Sequence, residues 1–334
     1  MPENNKTMNK KLPRHLAGSF ELKEGTGPIT AMCPCGEFLE IYKVDKTFRV
    51  KTPEAIDPEK MNPNAPWVAS PVDDVGSSNP IVARVLLQGH EILNSAPFEG
   101  EVNKDAVTTH LHDCKESLVA CEKTAKRVGS HIDRVVSEVT AQGISTDSGG
   151  RALNPFPQVP DLDSDCGTFL IQANRAIKLI CELPQFFIAL ERADSNFDHL
   201  SKRLFTTIGE KRPVVEFVKA NADGVRYLID LRNFHEHPKE KRTIVDNFRL
   251  MPDAKIRVPM WHLSGQEPRP IKEEMFSALE FLTQIAEAML IHLVMHRVSK
   301  QFAFIVEEIP DKYIDVKNPI KYRLSIDLSK LRKG

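Results

Sequence analysis

The stretch VVEFVKANADGVRYLIDLRNFHEHP, residues 214–238, decides how the fold is interpreted. Apolar residues recur in it at steps of three or four, at Val214, Val218, Ala222, Val225 and Ile229. This spacing is typical of the buried face of an α-helix. The next position on the same face is Arg232, so a charged side chain stands where a core residue is expected. We predict a helix over about 212–236.

The residues at the end of this helix suit chemistry on a phosphate. Pro238 disfavours helical geometry at His237 and cannot continue the backbone hydrogen-bond ladder. The helix is therefore expected to stop near His235 or Glu236, which leaves His237 able to fold back toward Arg232. Arginine binds phosphate oxygens in bidentate form, and histidine titrates near neutral pH.

Arg232, Asn233 and His237 form the pattern Arg-Asn-x-x-x-His at the end of this predicted helix. The pattern resembles the signature of the HEPN superfamily, helical domains that include many metal-independent ribonucleases. The resemblance implies that His237 acts in acid/base chemistry, that Arg232 holds the scissile phosphate and that Asn233 orients them. It also implies a homodimer, since the Arg and His of two protomers usually meet across an interface in catalytic members.

The same residues also permit a structural interpretation. Arg232 can pair with a carboxylate of a neighbouring helix, and His235 or His237 can be solvated or interact with the negative end of the helix dipole. Glu236 matters to both interpretations, because a neighbouring carboxylate favours the charged imidazole. We take Asn233, His235 and Glu236 as supporting residues around the pair Arg232 and His237.

Composition limits the classes of function. With 334 residues and 41% apolar content, the chain can bury substantial cores, and its length suggests about two domains. The formal net charge is -1, so RNA binding would have to come from a local basic patch rather than from a global attraction. The chain has no Gly-rich loop ending in Gly-Lys-Ser/Thr, which argues against a nucleotide-binding P-loop.

The six cysteines bear on compartment and metal binding. The amino terminus shows no apolar signal segment, so a cytoplasmic protein with reduced thiols is expected. Cys33-Pro34-Cys35 has no second cysteine pair, so a zinc ribbon would lack half its ligands. We predict no metal and no cofactor, and leave open whether Cys33 and Cys35 have a role. The apolar stretch 286–298 is interrupted by charges and is too short and polar to span a bilayer. We therefore expect no association with a membrane.

Four segments are expected along the chain. They are a disordered tail at 1–16, a small β-hairpin with a covering segment at 17–77, a helical bundle at 78–305 and a strand-like tail at 306–334. Helical stripes within the bundle predict helices at about 80–97, 103–142, 167–193, 195–208, 212–236 and 271–302. The stretch between the last two is expected to be irregular, and the strands of the tail are expected to pair with the amino-terminal hairpin.

These patterns predict a mainly α protein, an HEPN-like helical bundle with a small β element formed by the N- and C-terminal regions. The expected function is that of a metal-independent RNA endonuclease in a toxin or defence setting. Arg232 and His237 would be its catalytic residues. The alternative is a non-catalytic helical module that binds RNA or a protein partner.

Overall fold

Two compact units make up the fold. The computed structural model of the chain describes residues 13–16, 19, 21–144, 152–301 and 303–327. The first unit comprises Met1–Asn94, Lys104–Thr109 and Glu307–Arg323. The second comprises Ser95–Asn103, His110–Val306 and Leu324–Gly334. Each unit therefore draws on several parts of the chain, whereas the sequence suggested continuous segments.

The first unit is built on an antiparallel sheet of four strands in the order β1-β2-β3-β4. The strands are β1 Ala31–Cys35, β2 Phe38–Tyr42, β3 Thr47–Lys51 and β4 Val68–Asp73. The predicted hairpin corresponds to β2 and β3, whose alternating residues were recognisable in the sequence. The strands β1 and β4 extend it on either side, so the segment predicted as a hairpin is a larger sheet.

The two faces of this sheet differ in character. Ile41, Phe48 and Val50 are buried together on one face, where they form an apolar cluster. Successive residues of a strand point to opposite faces, so Cys33 and Glu40 belong to the other face. Both are fully buried as well, at 0% exposure. The second face therefore buries polarisable and charged groups instead of an ordinary apolar core.

Residues that precede the sheet are anchored by Arg14. Pro13–His15 form one turn of 3-10 helix, and Arg14 is 3% exposed. Its guanidinium donates hydrogen bonds to the side chain of Asp57 at 2.8 Å and to the carbonyl of Asn62 at 3.1 Å. The prediction of a disordered tail at 1–16 is therefore wrong for residues 13–16, because a buried ion pair holds them. Residues 1–12 lie outside the described part of the chain.

Two short helices precede the second unit. Helix α1, Pro53–Ile56, is capped by the side chain of Thr52. A π-helical turn, Val82–Leu87, leads directly into helix α2, Gln88–Ser95. Asn79 caps the start of this helical segment, because its side-chain oxygen accepts hydrogen bonds from the backbone amides of Ile81 and Val82. The predicted helix at about 80–97 is confirmed.

Long helices dominate the second unit. They are α3 Lys104–Gln142, whose part from His110 onward belongs to this unit, α4 Leu162–Glu182, α5 Phe197–Ile208, α6 Pro213–Glu236 and α7 Ile271–Arg297. Helix α6 packs against α4, α5 and α7, and α4 also packs against α7. The predicted helices at about 103–142, 195–208, 212–236 and 271–302 are confirmed. The predicted helix at about 167–193 is confirmed only as far as Glu182, because Pro184 follows in a 3-10 turn and residues 187–193 are not helical.

Helix α7 is the most apolar of them. By length and composition it could cross a membrane, but 61% of its most apolar window is buried inside the fold. Met275, Leu282, Met289 and Leu293 are each at 0% exposure. A position in the core explains its apolar character without a bilayer.

The prediction of a mainly α protein is wrong, and so is the HEPN-like bundle as a description of this fold. Helix accounts for 50% of the structure and strand for 16%, which makes it a mixed α/β fold. Five strands occupy the stretch that was predicted to be irregular. They are β5 Thr243–Asp246, β6 Arg249–Leu250, β7 Ile256–Arg257, β8 Met260–Leu263 and β9 Arg269–Pro270. They pair as β5-β8-β9 and β6-β7, and Trp261 of β8 is fully buried against Phe169 of α4.

The last two strands pair with each other. Strands β10, Phe304–Glu308, and β11, Tyr322–Ile326, form a sheet of their own. The amide of Ile309 donates to the carbonyl of Lys321 at 2.7 Å and continues this pairing beyond the strands. The predicted pairing of the tail with the amino-terminal hairpin is therefore wrong, because both edges of that hairpin are taken by β1 and β4.

Candidate functional site

The sequence-predicted site lies at the carboxyl end of helix α6. The helix ends at Glu236, and the amide of His237 donates the last hydrogen bond, to the carbonyl of Asn233 at 2.9 Å. Thr243 of β5 donates its hydroxyl to the carbonyl of Leu231 at 2.7 Å, which ties this strand to the last turns of the helix. The predicted stop before Pro238 is confirmed.

Arg232 lies at the margin of the buried face, not on it. The buried positions of the last turns are Val225, Leu228 and Leu231, which lie three residues apart. Arg232 is therefore not one of the buried positions. The side chain of Arg232 is 26% exposed. An arginine at this margin can reach solvent, which a ligand-binding role requires.

The guanidinium of Arg232 is held within its own helix. One Nη atom donates to the side-chain oxygen of Asn233 at 3.0 Å, and the other forms an ion pair with Glu236 one turn ahead. The Nε atom is buried and has no hydrogen-bond partner among the described residues. The partner of Arg232 is thus an i,i+4 carboxylate, and the alternative pairing with a neighbouring helix is not seen in the described residues.

His237 approaches the same carboxylate from the solvent side. Its imidazole is 70% exposed, and its Nε2 lies 3.9 Å from the Glu236 oxygen that pairs with Arg232. Arg232 and His237 are therefore linked through Glu236. We call Arg232, Glu236 and His237 the 232/236/237 cluster.

His235 is held by helix α4. Its Nε2 lies 3.3 Å from Asp163, and its side chain is 15% exposed. The ring rests on Gly167, where an added Cβ would lie 2.8 Å from the ring carbon Cε1. His235 is thus a packing residue that fixes the end of α6 on α4. Sequence reasoning missed Asp163, Gly167 and Thr243, and no local pattern indicates that they meet this helix.

A groove along α5 and α6 is a weaker candidate. It encloses about 870 Å³ and is lined in part by Lys202, Lys219 and Arg226. Arg226 pairs with Asp198 and Asp223, and the hydrogen bonds that its guanidinium donates to them, the one to Asp198 first, raise its pKa. The basic groups of the groove are therefore interspersed with carboxylates, which makes it a poor site for an anion.

The cysteines fall into two kinds. All six are free thiols and all are buried. Burial raises the pKa of Cys114 to about 12, as expected of an inert core thiol, and raises the pKa of Cys121, Cys166 and Cys181 as well. Cys33 is different, because hydrogen bonds from Cys35 and His90 lower its pKa to about 6.

The 232/236/237 cluster places the guanidinium of Arg232 and the imidazole of His237 at one helix end, with the carboxylate of Glu236 between them. The resemblance to the HEPN superfamily rests on residues 232–237. No protein-family model, no curated protein and no solved structure matches this chain.

Proposed function

We propose that this protein is an RNA endonuclease that needs no metal ion for catalysis, with the 232/236/237 cluster as its active site. The supporting observation is the shared carboxylate. Glu236 pairs with Arg232 and lies 3.9 Å from the exposed imidazole of His237. A cation for a phosphate and a group that can carry a proton therefore stand together at the surface.

Arg232 would receive the phosphate in exchange for Glu236. Its ion pair is partly exposed on both sides, with side-chain exposures of 26% for Arg232 and 24% for Glu236. Partly exposed pairs contribute little stability, so an incoming phosphodiester can replace the carboxylate at small cost. The bidentate contact that phosphate offers to a guanidinium favours this exchange. The displaced Glu236 stays next to His237 and can orient the imidazole.

The reaction would be an internal transfer within the RNA. The ribose 2′-oxygen attacks the adjacent phosphorus, the bond to the 5′-oxygen breaks, and the products are a 2′,3′-cyclic phosphate and a 5′-hydroxyl. One imidazole takes the proton of the 2′-hydroxyl, and a second protonated group gives a proton to the leaving oxygen. Arg232 stabilises the negative charge that builds up on the phosphate oxygens.

A homodimer would supply the second proton-carrying group. The cluster of one chain holds a single exposed histidine, His237, and one imidazole relays one proton at a time. A two-fold axis that brings the two 232–238 segments together places a second His237 at the same phosphate. Sedimentation at micromolar concentration should show a dimer. A monomer there would contradict this arrangement and favour the alternative function below.

Cleavage of single-stranded RNA by the whole chain, without added magnesium or manganese, tests the proposal. Arg232→Ala and His237→Ala should each lower the rate by about 100-fold or more. Two matched variants control for charge and surface changes: Arg226→Ala, an exposed arginine of the same helix, and His199→Ala, an exposed histidine of α5. Both should cleave at the parent rate. Full activity of His237→Ala would overturn the proposed mechanism.

The second candidate is a non-catalytic module that binds RNA or a protein partner through the same helix end. The observation that favours it is the ion pair between Arg232 and Glu236. A guanidinium held in place by this carboxylate can contact RNA or a protein partner without taking part in a reaction. In that case the parent protein would bind RNA or a partner without cutting RNA. Arg232→Ala would then weaken binding, and His237→Ala would have little effect.

A further inference from the structure

A cavity of about 590 Å³ lies within the second unit, between helix α5 and the segment 189–192 that precedes it. His199, Lys202, Arg203 and Thr206 line it from positions i, i+3, i+4 and i+7 of α5, so they share one face of that helix. The cavity shares no residue with the 232/236/237 cluster.

The carboxylate of Asp194 fixes the direction of Arg203. The Nε atom and one Nη atom of Arg203 donate to the two oxygens of Asp194, at 2.5 and 2.9 Å. The side chain of Asp194 is 4% exposed and that of Arg203 is 19% exposed. A guanidinium has five N–H groups, and the other three of Arg203 have no partner among the described residues. Arg203 is thus held in one orientation, with hydrogen-bond donors left for a ligand in the cavity.

Two more cations line the cavity. Arg192 and Lys202 are exposed, and neither forms an ion pair within the part of the chain that the structure describes. The hydrogen bond from Arg203 lowers the pKa of Asp194, and the charges of Arg192 and His199 lower it further. The lining therefore carries positive charge beyond what Asp194 neutralises, which distinguishes this cavity from the groove along α5 and α6.

The same cavity offers hydrogen-bond acceptors. Thr206 and Thr207 donate their hydroxyl protons to backbone carbonyls one turn back in α5, at 3.0 and 2.9 Å, so their oxygens keep lone pairs that can accept. Among the described lining residues, Glu191 is the one carboxylate and Ala189 the one apolar side chain. Such acceptors suit the hydroxyls of a sugar, whereas a nucleobase or an acyl chain would find little apolar surface to bury.

We propose that this cavity binds a small sugar phosphate. A phosphomonoester carries close to two negative charges at neutral pH, and Arg203 with Arg192 and Lys202 would surround it. The guanidinium of Arg203 meets phosphate oxygens in bidentate form. Glu191 and the two threonine hydroxyls would accept hydrogen bonds from the hydroxyls of the sugar. This binding goes beyond the proposed RNA cleavage and uses none of its residues.

Calorimetric titration of the whole chain with ribose 5-phosphate, glucose 6-phosphate, the two unphosphorylated sugars and inorganic phosphate tests the site. At least one sugar phosphate should bind at one site per chain with a Kd below about 1 mM. Its unphosphorylated sugar should give no heat of binding, and inorganic phosphate should bind more weakly. Failure of both sugar phosphates to bind, or equal affinity for the sugar without its phosphate, would overturn the proposal. Equal affinity for inorganic phosphate would overturn the part assigned to the sugar.

Two double variants compare the cavity with a neighbouring surface. Arg192→Gln with Lys202→Gln should weaken binding of the sugar phosphate at least about tenfold. Both residues are exposed and unpaired, so the fold should be unaffected. Lys219→Gln with Arg226→Gln is the matched control, since it removes two exposed cations from α6, and it should bind as the parent does. Parent affinity in the first double variant would refute the site.

A further variant locates the bound phosphate. Arg232→Ala removes the guanidinium of the proposed active site and should keep the parent's affinity for the sugar phosphate. In proton NMR the imidazole signals of His199 should shift during the titration, and those of His237 should not. Binding that is lost in Arg232→Ala and kept in the first double variant would place the phosphate at the 232/236/237 cluster and contradict the proposal.

Discussion

Replacing Gly167 by alanine tests how the end of helix α6 is held in place. Gly167 lies in the interior of α4, where its lack of a side chain makes room for the ring of His235. An added Cβ would lie 2.8 Å from Cε1 of that ring and 3.3 Å from Nδ1. The first distance is too short for two carbon atoms, so the ring or the helix must move.

Two opposing effects set the size of the change. Alanine is favoured over glycine inside a helix by about 0.5–1 kcal/mol. Overpacking in a well-filled place costs about 1–3 kcal/mol. In the parent the clash should prevail, and Gly167→Ala should lower the free energy of unfolding by about 0.5–2 kcal/mol. In a His235→Ala background the clash is absent, and the same substitution should raise the free energy of unfolding by about 0.5–1 kcal/mol.

Urea unfolding, detected by the circular dichroism of the helices, measures the free energy of unfolding of the parent, the two single variants and the double variant. The coupling between Gly167 and His235 is expected to be about 1–3 kcal/mol. Additive effects within about 0.5 kcal/mol would refute the contact between α4 and the end of α6. In that case Gly167→Ala would have the same sign in both backgrounds.

Three further predictions concern the second unit. The hydrogen bond from Arg203 lowers the pKa of Asp194, so this pair stabilises the fold above about pH 4 and loses its contribution as the pH falls through the lowered value. Asp194→Asn should therefore cost about 1 kcal/mol at pH 7, because solvent screens the pair, and chemical unfolding should show this difference shrinking in acid. Thr243→Val removes the hydroxyl that donates a hydrogen bond to the carbonyl of Leu231 and should cost about 1 kcal/mol in the same assay. Trp261→Phe should cost less than about 2 kcal/mol, against about 3–5 kcal/mol for Trp261→Ala, because the buried indole N–H has no partner in the described residues.

The long helices could be predicted from the sequence, because each repeats its apolar spacing over many turns. Helix α6 also carried its own stop signal in Pro238, and the structure ends it at Glu236. The exact face was harder to assign. The sequence favoured Ile229 as the last buried position, whereas Leu228 and Leu231 are buried. A choice between adjacent positions depends on the helices that pack against them.

The strands between α6 and α7 could not be predicted in the same way. Strands β5 and β8 have four residues each, and β6, β7 and β9 have two. Such runs are too short to show a period. Contacts with the helices, such as that of Trp261 with Phe169, fix how these strands pair. With these strands the fold is mixed α/β, whereas the sequence predicted a mainly α protein.

The sequence indicated which residues form the candidate site, but it did not predict which other residues they contact. Arg232 and Glu236 are one turn apart, so their pairing follows from helix geometry once the helix is given. The contact of His235 with Asp163 joins residues 72 positions apart and depends on how α4 and α6 pack.

The chemical ends of the cleaved RNA test the central claim most directly. RNA incubated with the whole chain without added divalent metal should yield fragments with 2′,3′-cyclic phosphate and 5′-hydroxyl ends. A substrate with a single 2′-deoxy nucleotide at the scissile position should not be cleaved. His237→Ala should produce neither fragment above background. Fragments with 5′-phosphate ends, or cleavage of the 2′-deoxy substrate at the parent rate, would contradict attack by the ribose hydroxyl and with it the role proposed for Arg232 and His237.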